Sequence, residues 1–563
     1  MNNSKNTIIA LILIAVVFIL SNQLIWKNQE QPTSQKQEKV EERTPAQSSQ
    51  EEEGYSQKIP KNSSEEKGYG EEADSSSEQI VVKNTDQTFD QAQVLAPVIS
   101  LENQYVKIDF TNRGGTVKQV YLKKIMESKE EQIPVRLLEK EIGLLNTNMH
   151  GDFGNINCKN YLFKHDKQGN QLIFYLEKEG DARIEKRYTL TDEYNLKLDF
   201  NTQGIGFVDS YILGLDSGVF YDNEANRAES YLKAVAKVNT EIEDKDYGDA
   251  EKAEGFIGKI DWAAVKSKYF IIAAIPEGRV KMNELQLGVN ADAIIADANI
   301  DVSRRNFEHS YDFYLGPMII DNLKAYGNNL EDAMNFGWSL IRPISKFMLQ
   351  LLTWIHNVIP NWGIAIIILS LIIKIVLSPL THKGTRSSQK MQEIQPMVKE
   401  VQNKYKDNPK KAQQEVMKIY KEHGVSPLGG CLPLLLQFPI LFALYPVLRS
   451  TIALRHADFI LWINDLSAPD PYYILPIVMG IAMFLQQKLM MQKPTPGMGD
   501  KQQAQMKTQK FMMYGMPLFL VFIFKSFPAG LVLYWLCYNI LSIIERLWIK
   551  SKDTTQTVTV EAE

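Results

Sequence analysis

At 563 residues the chain is too long for one ordinary domain, and its formal net charge of −5 gives no global case for nucleic-acid recognition. Cys158, Cys431 and Cys537 are too few for a disulfide framework, and the 7 histidines are scattered without metal-ligand spacing. No nucleophile elbow or phosphate loop appears, so no enzyme activity, metal or cofactor is expected.

The first apolar run, TIIALILIAVVFILSNQLIW (Thr7 to Trp26), has about the twenty residues of a spanning helix. Only Lys5 precedes it and no small-x-small cleavage pattern follows. An uncleaved anchor over residues 1–26 is therefore expected rather than a signal peptide. Residues 27–92 are mostly Gln, Glu, Ser and Lys, with Tyr55, Tyr69 and Phe89 as their aromatics. Such a stretch buries too little apolar surface to offset ordering entropy, and reads as a flexible linker. Over residues 93–325 the pattern becomes alternation of period two. Val106, Ile108 and Phe110 alternate with Lys107 and Asp109, and Tyr194, Leu196, Leu198 and Phe200 with Asn195, Lys197 and Asp199. Half-buried antiparallel strands with turn punctuation predict a β-sandwich domain.

Residues 326–360 include WSLIRPISKFMLQLLTWIHNVIP, which Arg342, Pro343, Lys346 and His356 interrupt. An amphipathic helix in the membrane interface fits it better than a seventh span. Further spans are expected at 361–380, 428–449, 471–487, 511–526 and 527–549, with a short tail over 550–563. Of the intervening loops, 381–427 carries ten Lys/Arg against five Asp/Glu, a net of +5. The loop 488–510 carries five against one, a net of +4, while 450–470 has no such excess. Both basic loops are placed in the cytoplasm, the β-domain outside, and both termini inside.

Several spans are unusually short or polar. The apolar stretches Tyr472–Leu485 and Phe511–Phe524 cover only about 21 Å each, against about 30 Å of hydrocarbon. Either the bilayer thins around them or the helices extend into polar flanks such as Gln505 to Lys510. Ser370, Lys374 and Ser378 recur every four residues, one stripe on a helix. Gln437 lies between Pro433 and Pro439, and the last span contains Tyr534, Trp535 and Asn539. Lys374 either snorkels to the cytoplasmic surface or stands as a buried functional cation in a hydrated groove. In the loop 381–427, Met391, Ile394, Val398, Val401 and Tyr405, then Ala412, Val416 and Ile419, recur at three- and four-residue spacing around Asn408-Pro409. Two such helices form a short antiparallel coiled-coil hairpin. Its basic face is either a solvated surface or a contact for anionic lipid.

The stretches NWGIAIIILS, SPLGGCLPLLLQFPILFALY, LWINDLSAPDPYYILPIVMG and FPAGLVLYWLCYNI, in this order, closely resemble the YidC/Oxa/Alb family of membrane protein insertases across about 361–550. The anchor, linker and large outer β-domain are similar in position and size to the family's Gram-negative bacterial YidC type. The resemblance implies a five-helix insertase core and an extracytoplasmic β-supersandwich similar to sugar mutarotases, in a multi-pass protein of the cell inner membrane. It implies an insertase and chaperone for nascent membrane proteins, acting alone or with the Sec translocon, with the ribosome and the signal-recognition-particle receptor met through the cytoplasmic loops. Lys374 resembles the family's groove cation and Ser370 a polar position one turn earlier. Gln437 resembles a groove amide, Tyr534 and Trp535 a substrate-contacting aromatic pair, and Asn539 lies in the same stretch. Where Lys374 stands, relatives typically have Arg, and the second aromatic here is Trp.

Two other classes use similar features. A transporter would share the intramembrane polar groups, yet no internal repeat is evident. A surface receptor would make the β-domain the working part.

Overall fold

The computed structural model describes residues 98–139, 143–178, 181–191, 193–215, 219–220, 231–247, 253–290, 293–425, 432–490 and 513–560. The expected anchor and linker, and most of the loop 488–510, lie outside the described residues.

From Ile99 to Pro317 the chain is built of antiparallel strands. Ile99–Glu102, Val106–Thr111, Thr116–Met126 and Pro134–Arg136 form a four-stranded sheet in that order. A second, 14-stranded sheet takes the rest. The alternation seen in the sequence becomes the division between core and surface. In Ala182–Leu190 every second side chain is buried, and Asn195–Gln203, paired beside it, repeats the pattern. Phe110 of the small sheet packs on Tyr188 and Phe174 of the large one, with ring centroids 4.9 and 6.1 Å away. Tyr188 donates its hydroxyl hydrogen to the Gly115 carbonyl at 2.7 Å. This is a β-sandwich with an aromatic core. Phe270–Pro276 lies between Glu254–Lys266 and Phe307–Pro317 and is buried on both faces, so it is a continuous apolar run.

Two lysines interrupt that core. Lys186 occupies an inward position of its strand and donates to the carbonyls of Gly114 (2.9 Å) and Leu145 (3.1 Å). Lys266 donates to the Ala333 carbonyl. Burial lowers both ammonium groups from the ordinary lysine value of 10.5 to about 8, with Lys233 adding to the effect at Lys266. Between those values the unfolded chain binds more protons than the folded one. The two lysines therefore push the stability of the β-domain up from pH 8 toward 10, by about 1 kcal/mol per pH unit for each, while the Cys158 thiol, which burial raises from its ordinary 9.0, opposes them above about 9. Above 10 the buried Tyr188 and Tyr211, whose hydroxyls burial pushes far up, oppose the rise. Denaturant unfolding of the full chain, followed by β-sheet circular dichroism, measures this; a fall in stability between pH 8 and 10 contradicts it.

Helices follow: α1 (Ile320–Ala325), α2 (Arg342–Val358), α3 (Trp362–Glu393), α4 (Gln395–Lys404), α5 (Pro409–Glu422), α6 (Leu432–Ser450), α7 (Ile474–Met490), α8 (Met513–Phe524) and α9 (Ala529–Val560). The segments Trp362–His382 and Ala529–Ile549 are long and apolar enough to cross a membrane, and the apolar parts of α7 and α8 are shorter. α2 buries Met348, Leu349, Leu352 and Ile355 against α3 and α6 and leaves Phe347, Trp354 and Val358 exposed. α9 packs along α3, α6 and α7.

Two helices run on beyond the spans expected from the sequence. α3 continues through Pro379 to Glu393, where a span ending at Leu380 is expected. α9 likewise runs past Ile549 to Val560. The hairpin is correspondingly shorter, α4 against α5, with Ile394 and Val398 buried and the Asn408 side chain accepting from the Lys411 N–H.

The β-domain is bonded to the loop between α6 and α7. Arg455 donates to the Met126 carbonyl at 2.8 Å and the Glu127 carbonyl at 2.7 Å, Lys129 pairs with Asp458, and Tyr269 donates to Ser467 at 3.0 Å. The same loop bonds the start of α9: the Ala529 and Gly530 N–H groups donate to the carbonyls of Ala468 (2.7 Å) and Leu466 (2.9 Å).

Candidate functional site

Polar side chains inside an apolar helix bundle are costly unless they find partners, so their pairings locate the site. Ser370, Lys374, Gln437, Tyr534, Trp535 and Asn539 are all buried among α3, α6 and α9. They fall into two groups, each held differently.

The first group centres on Gln437 and Tyr534. The Gln437 amide donates to the Tyr534 hydroxyl at 2.7 Å, joining α6 to α9. The amide oxygen of Gln437 and the indole N–H of Trp535 are buried with no hydrogen-bond partner in the structure. Those two atoms are one acceptor and one donor held ready in a mostly apolar wall. Trp535 rests against Phe524 of α8, ring centroids 5.6 Å apart. Ser370 and Asn539 turn back onto their own helices, donating to the carbonyls of Ile366 (2.7 Å) and Trp535 (2.8 Å). Hydroxyl and amide groups that close on their own backbone add little polarity to a cavity.

The second group is built around Lys374. Its ammonium lies 2.6 Å from Glu545, donates to the Ser542 hydroxyl at 2.8 Å and sits 4.7 Å from the Tyr538 ring centroid. The lysine is 7% exposed, a buried cation. It is a paired one. Glu545 is in turn bound by a stripe on α3: Thr381 donates to it at 3.1 Å, Ser378 at 3.5 Å, and the His382 Nε2 lies 3.4 Å away. Tyr534 and Tyr538, ring centroids 6.5 Å apart, link the two groups along α9.

Glu545, Ser542 and Tyr538 are members of the cluster that the sequence reading passed over. A signal was present. Glu545 is the acid within the last span, about as far from its cytoplasmic end as Lys374 is from the end of its own span. A buried charge calls for a partner at matching depth.

Residues 98–351 match the family model described as YidC periplasmic domain, and residues 354–556 match 60Kd inner membrane protein. The membrane protein insertase YidC of Syntrophus aciditrophicus is 34% identical over 475 residues, 81% of this chain and 85% of that one. The chain belongs to the YidC family of membrane protein insertases. The YidC of Chlorobium limicola is 32% identical over 510 residues, 82% of this chain and 84% of its own. A crystal structure of an active YidC insertase with its first transmembrane domain resolved covers 80% of this chain and 93% of its own, at 16% identity and a TM-score of 0.36. Members of the YidC family are inner membrane insertases with a periplasmic domain; here that domain is the β-sandwich, and the helical region follows it.

Proposed function

We propose that this chain inserts nascent membrane proteins through a polar seam between α3, α6 and α9, and helps them fold, alone or beside the Sec translocon. The observation that carries the reading is a run of polar and aromatic side chains inside an apolar bundle, Gln437–Tyr534–Tyr538–Lys374–Glu545. A hydrophilic segment of the substrate enters from the cytoplasm and is received by these groups. Its hydrophobic segment then passes into lipid along the bundle surface. The unpartnered oxygen of Gln437 and indole N–H of Trp535 offer hydrogen bonds that the substrate's polar groups lose on leaving water. Closure at the outer end follows from the loop between α6 and α7, bonded both to the β-domain and to the start of α9.

In this reading the anchor, the basic hairpin 381–427 and the loop 488–510 place both termini in the cytoplasm, with five spans making the core. The hairpin's lysines meet anionic lipid, the ribosome or the signal-recognition-particle receptor.

Photocrosslinkers at positions 370, 437 and 535 are expected to capture the hydrophilic segment of a ribosome-stalled membrane protein. Ile375 and Val376 of α3, 61% and 70% exposed, serve as outward-facing controls. Capture from 375 and 376 but from none of the three buried positions overturns the groove.

A further inference from the structure

Resting on that reading, we infer that Glu545 is a specificity-determining residue: an internal carboxylate that occupies the groove cation and must be exchanged for the substrate's own. The argument begins from geometry. One oxygen of Glu545 lies 2.6 Å from the Lys374 ammonium, and the other is held by Thr381 at 3.1 Å, with His382 at 3.4 Å and Ser378 at 3.5 Å. Lys374 uses a second direction on Ser542, whose own hydroxyl hydrogen goes to the Tyr538 carbonyl at 2.7 Å. With one side of the ammonium on Glu545, one on Ser542 and the Tyr538 ring over it at 4.7 Å, a carboxylate arriving from the substrate competes for the position Glu545 holds.

The carboxylate has somewhere to go. Ser378, Thr381 and His382 lie successively further toward the cytoplasmic end of the face that carries Lys374, and all three already reach its second oxygen. Leaving the lysine, Glu545 keeps these partners, and His382 is 38% exposed at the end of the stripe. The exchange swaps one carboxylate for another on the same ammonium. Lys374 keeps a carboxylate throughout, and the displaced Glu545 keeps the hydrogen bonds of Ser378 and Thr381 with His382 alongside, which lowers the cost of parting it from the ammonium.

Two consequences follow for the substrate class. The resting seam presents Lys374 with its charge already engaged by Glu545, and Arg546 stands as a further cation beside the pair, so acidic segments gain less over uncharged hydrophilic ones than they would from an unpaired ammonium. Release is assisted too, because Glu545 returns to Lys374 as the substrate's acid departs.

The test uses the full-length chain in proteoliposomes and two substrates that differ only in the N-terminal segment, two Asp in one and two Asn in the other. Crosslinking from position 437 gives the ratio of acidic to uncharged capture. Glu545→Gln is expected to raise that ratio about tenfold and to prolong the acidic crosslink, with Glu545→Asp between it and the unsubstituted chain. The double change Lys374→Gln with Glu545→Gln is expected to bring the ratio near one. If Glu545 only clamps α9 to α3, its substitution lowers both captures in parallel. A ratio within about twofold of the unsubstituted chain, for Gln and Asp alike, overturns the inference while leaving the groove standing. Absence of capture from positions 370, 437 and 535 in the unsubstituted chain, with either substrate, removes the groove and the inference together.

Discussion

Lys374→Glu is expected to abolish growth in a strain depleted of its own insertase and to lower the amount of the protein in the membrane several-fold. The substitution sets two carboxylates against each other where an ammonium now stands 2.6 Å from Glu545, with side chains only 9% and 15% exposed. Removing one partner of a buried pair costs about 3–5 kcal/mol, and replacing it with a like charge adds repulsion. That is a large fraction of the stability of any domain. Adding Glu545→Lys to the same chain restores opposite charges and is expected to return the steady-state level, though not the charge preference for substrates. Lys374→Arg is expected to be tolerated, since a guanidinium reaches the same carboxylate with two parallel donors. The measurements are immunoblot level and complementation. Normal accumulation and growth of Lys374→Glu means that the pair neither stabilises the bundle nor takes part in insertion.

The sandwich was legible because a strand divides core from surface every second residue. Val106, Ile108, Phe110, Leu196, Leu198 and Phe200 all point inward, where the alternation puts them. Strand order was not legible. Glu254–Lys266 pairs with Phe270–Pro276 next to it in sequence, but Phe270–Pro276 also pairs with Phe307–Pro317, and periodicity carries no information on such distant partners. The site divides in the same way. Lys374 stood out as an isolated charge in an oily run, and Gln437 as an amide between prolines. What each one faces depends on a contact between helices 97 or 168 positions apart in the chain. Glu545 escaped notice because an acid beside Arg546 near a span end reads as the edge of the membrane. Pro379 lies inside α3: a proline removes one helix hydrogen bond, and the helix continues on either side of it.

Gly480→Leu is expected to pry α7 from α8 and to lose insertion activity, and Val521→Ala in the same chain to recover much of it. A Cβ built on Gly480 would overlap a Val521 methyl, so the two helices touch at this glycine because it has no side chain. Overpacking of this kind costs about 1–3 kcal/mol where neighbours must shift. The contact matters because both helices are short. At 17 residues α7 rises about 26 Å, and Met513–Phe524 rises about 18 Å over its described length, against about 30 Å of hydrocarbon. A short helix gains little from lipid on its own; held against its neighbour, the pair imposes its length on the bilayer beside it, which thins or lets flanking groups reach inward. Trp535, resting on Phe524 of α8, brings this short pair up to the polar seam. In the reading proposed here, separating α7 from α8 is expected to remove whatever local thinning the pair imposes beside the seam. Insertion into liposomes of increasing acyl-chain length distinguishes this from simple misfolding. The unsubstituted chain is expected to lose activity gradually as the bilayer thickens, and Gly480→Leu to lose it at a shorter chain length. Equal dependence on thickness in both proteins assigns the glycine to packing alone.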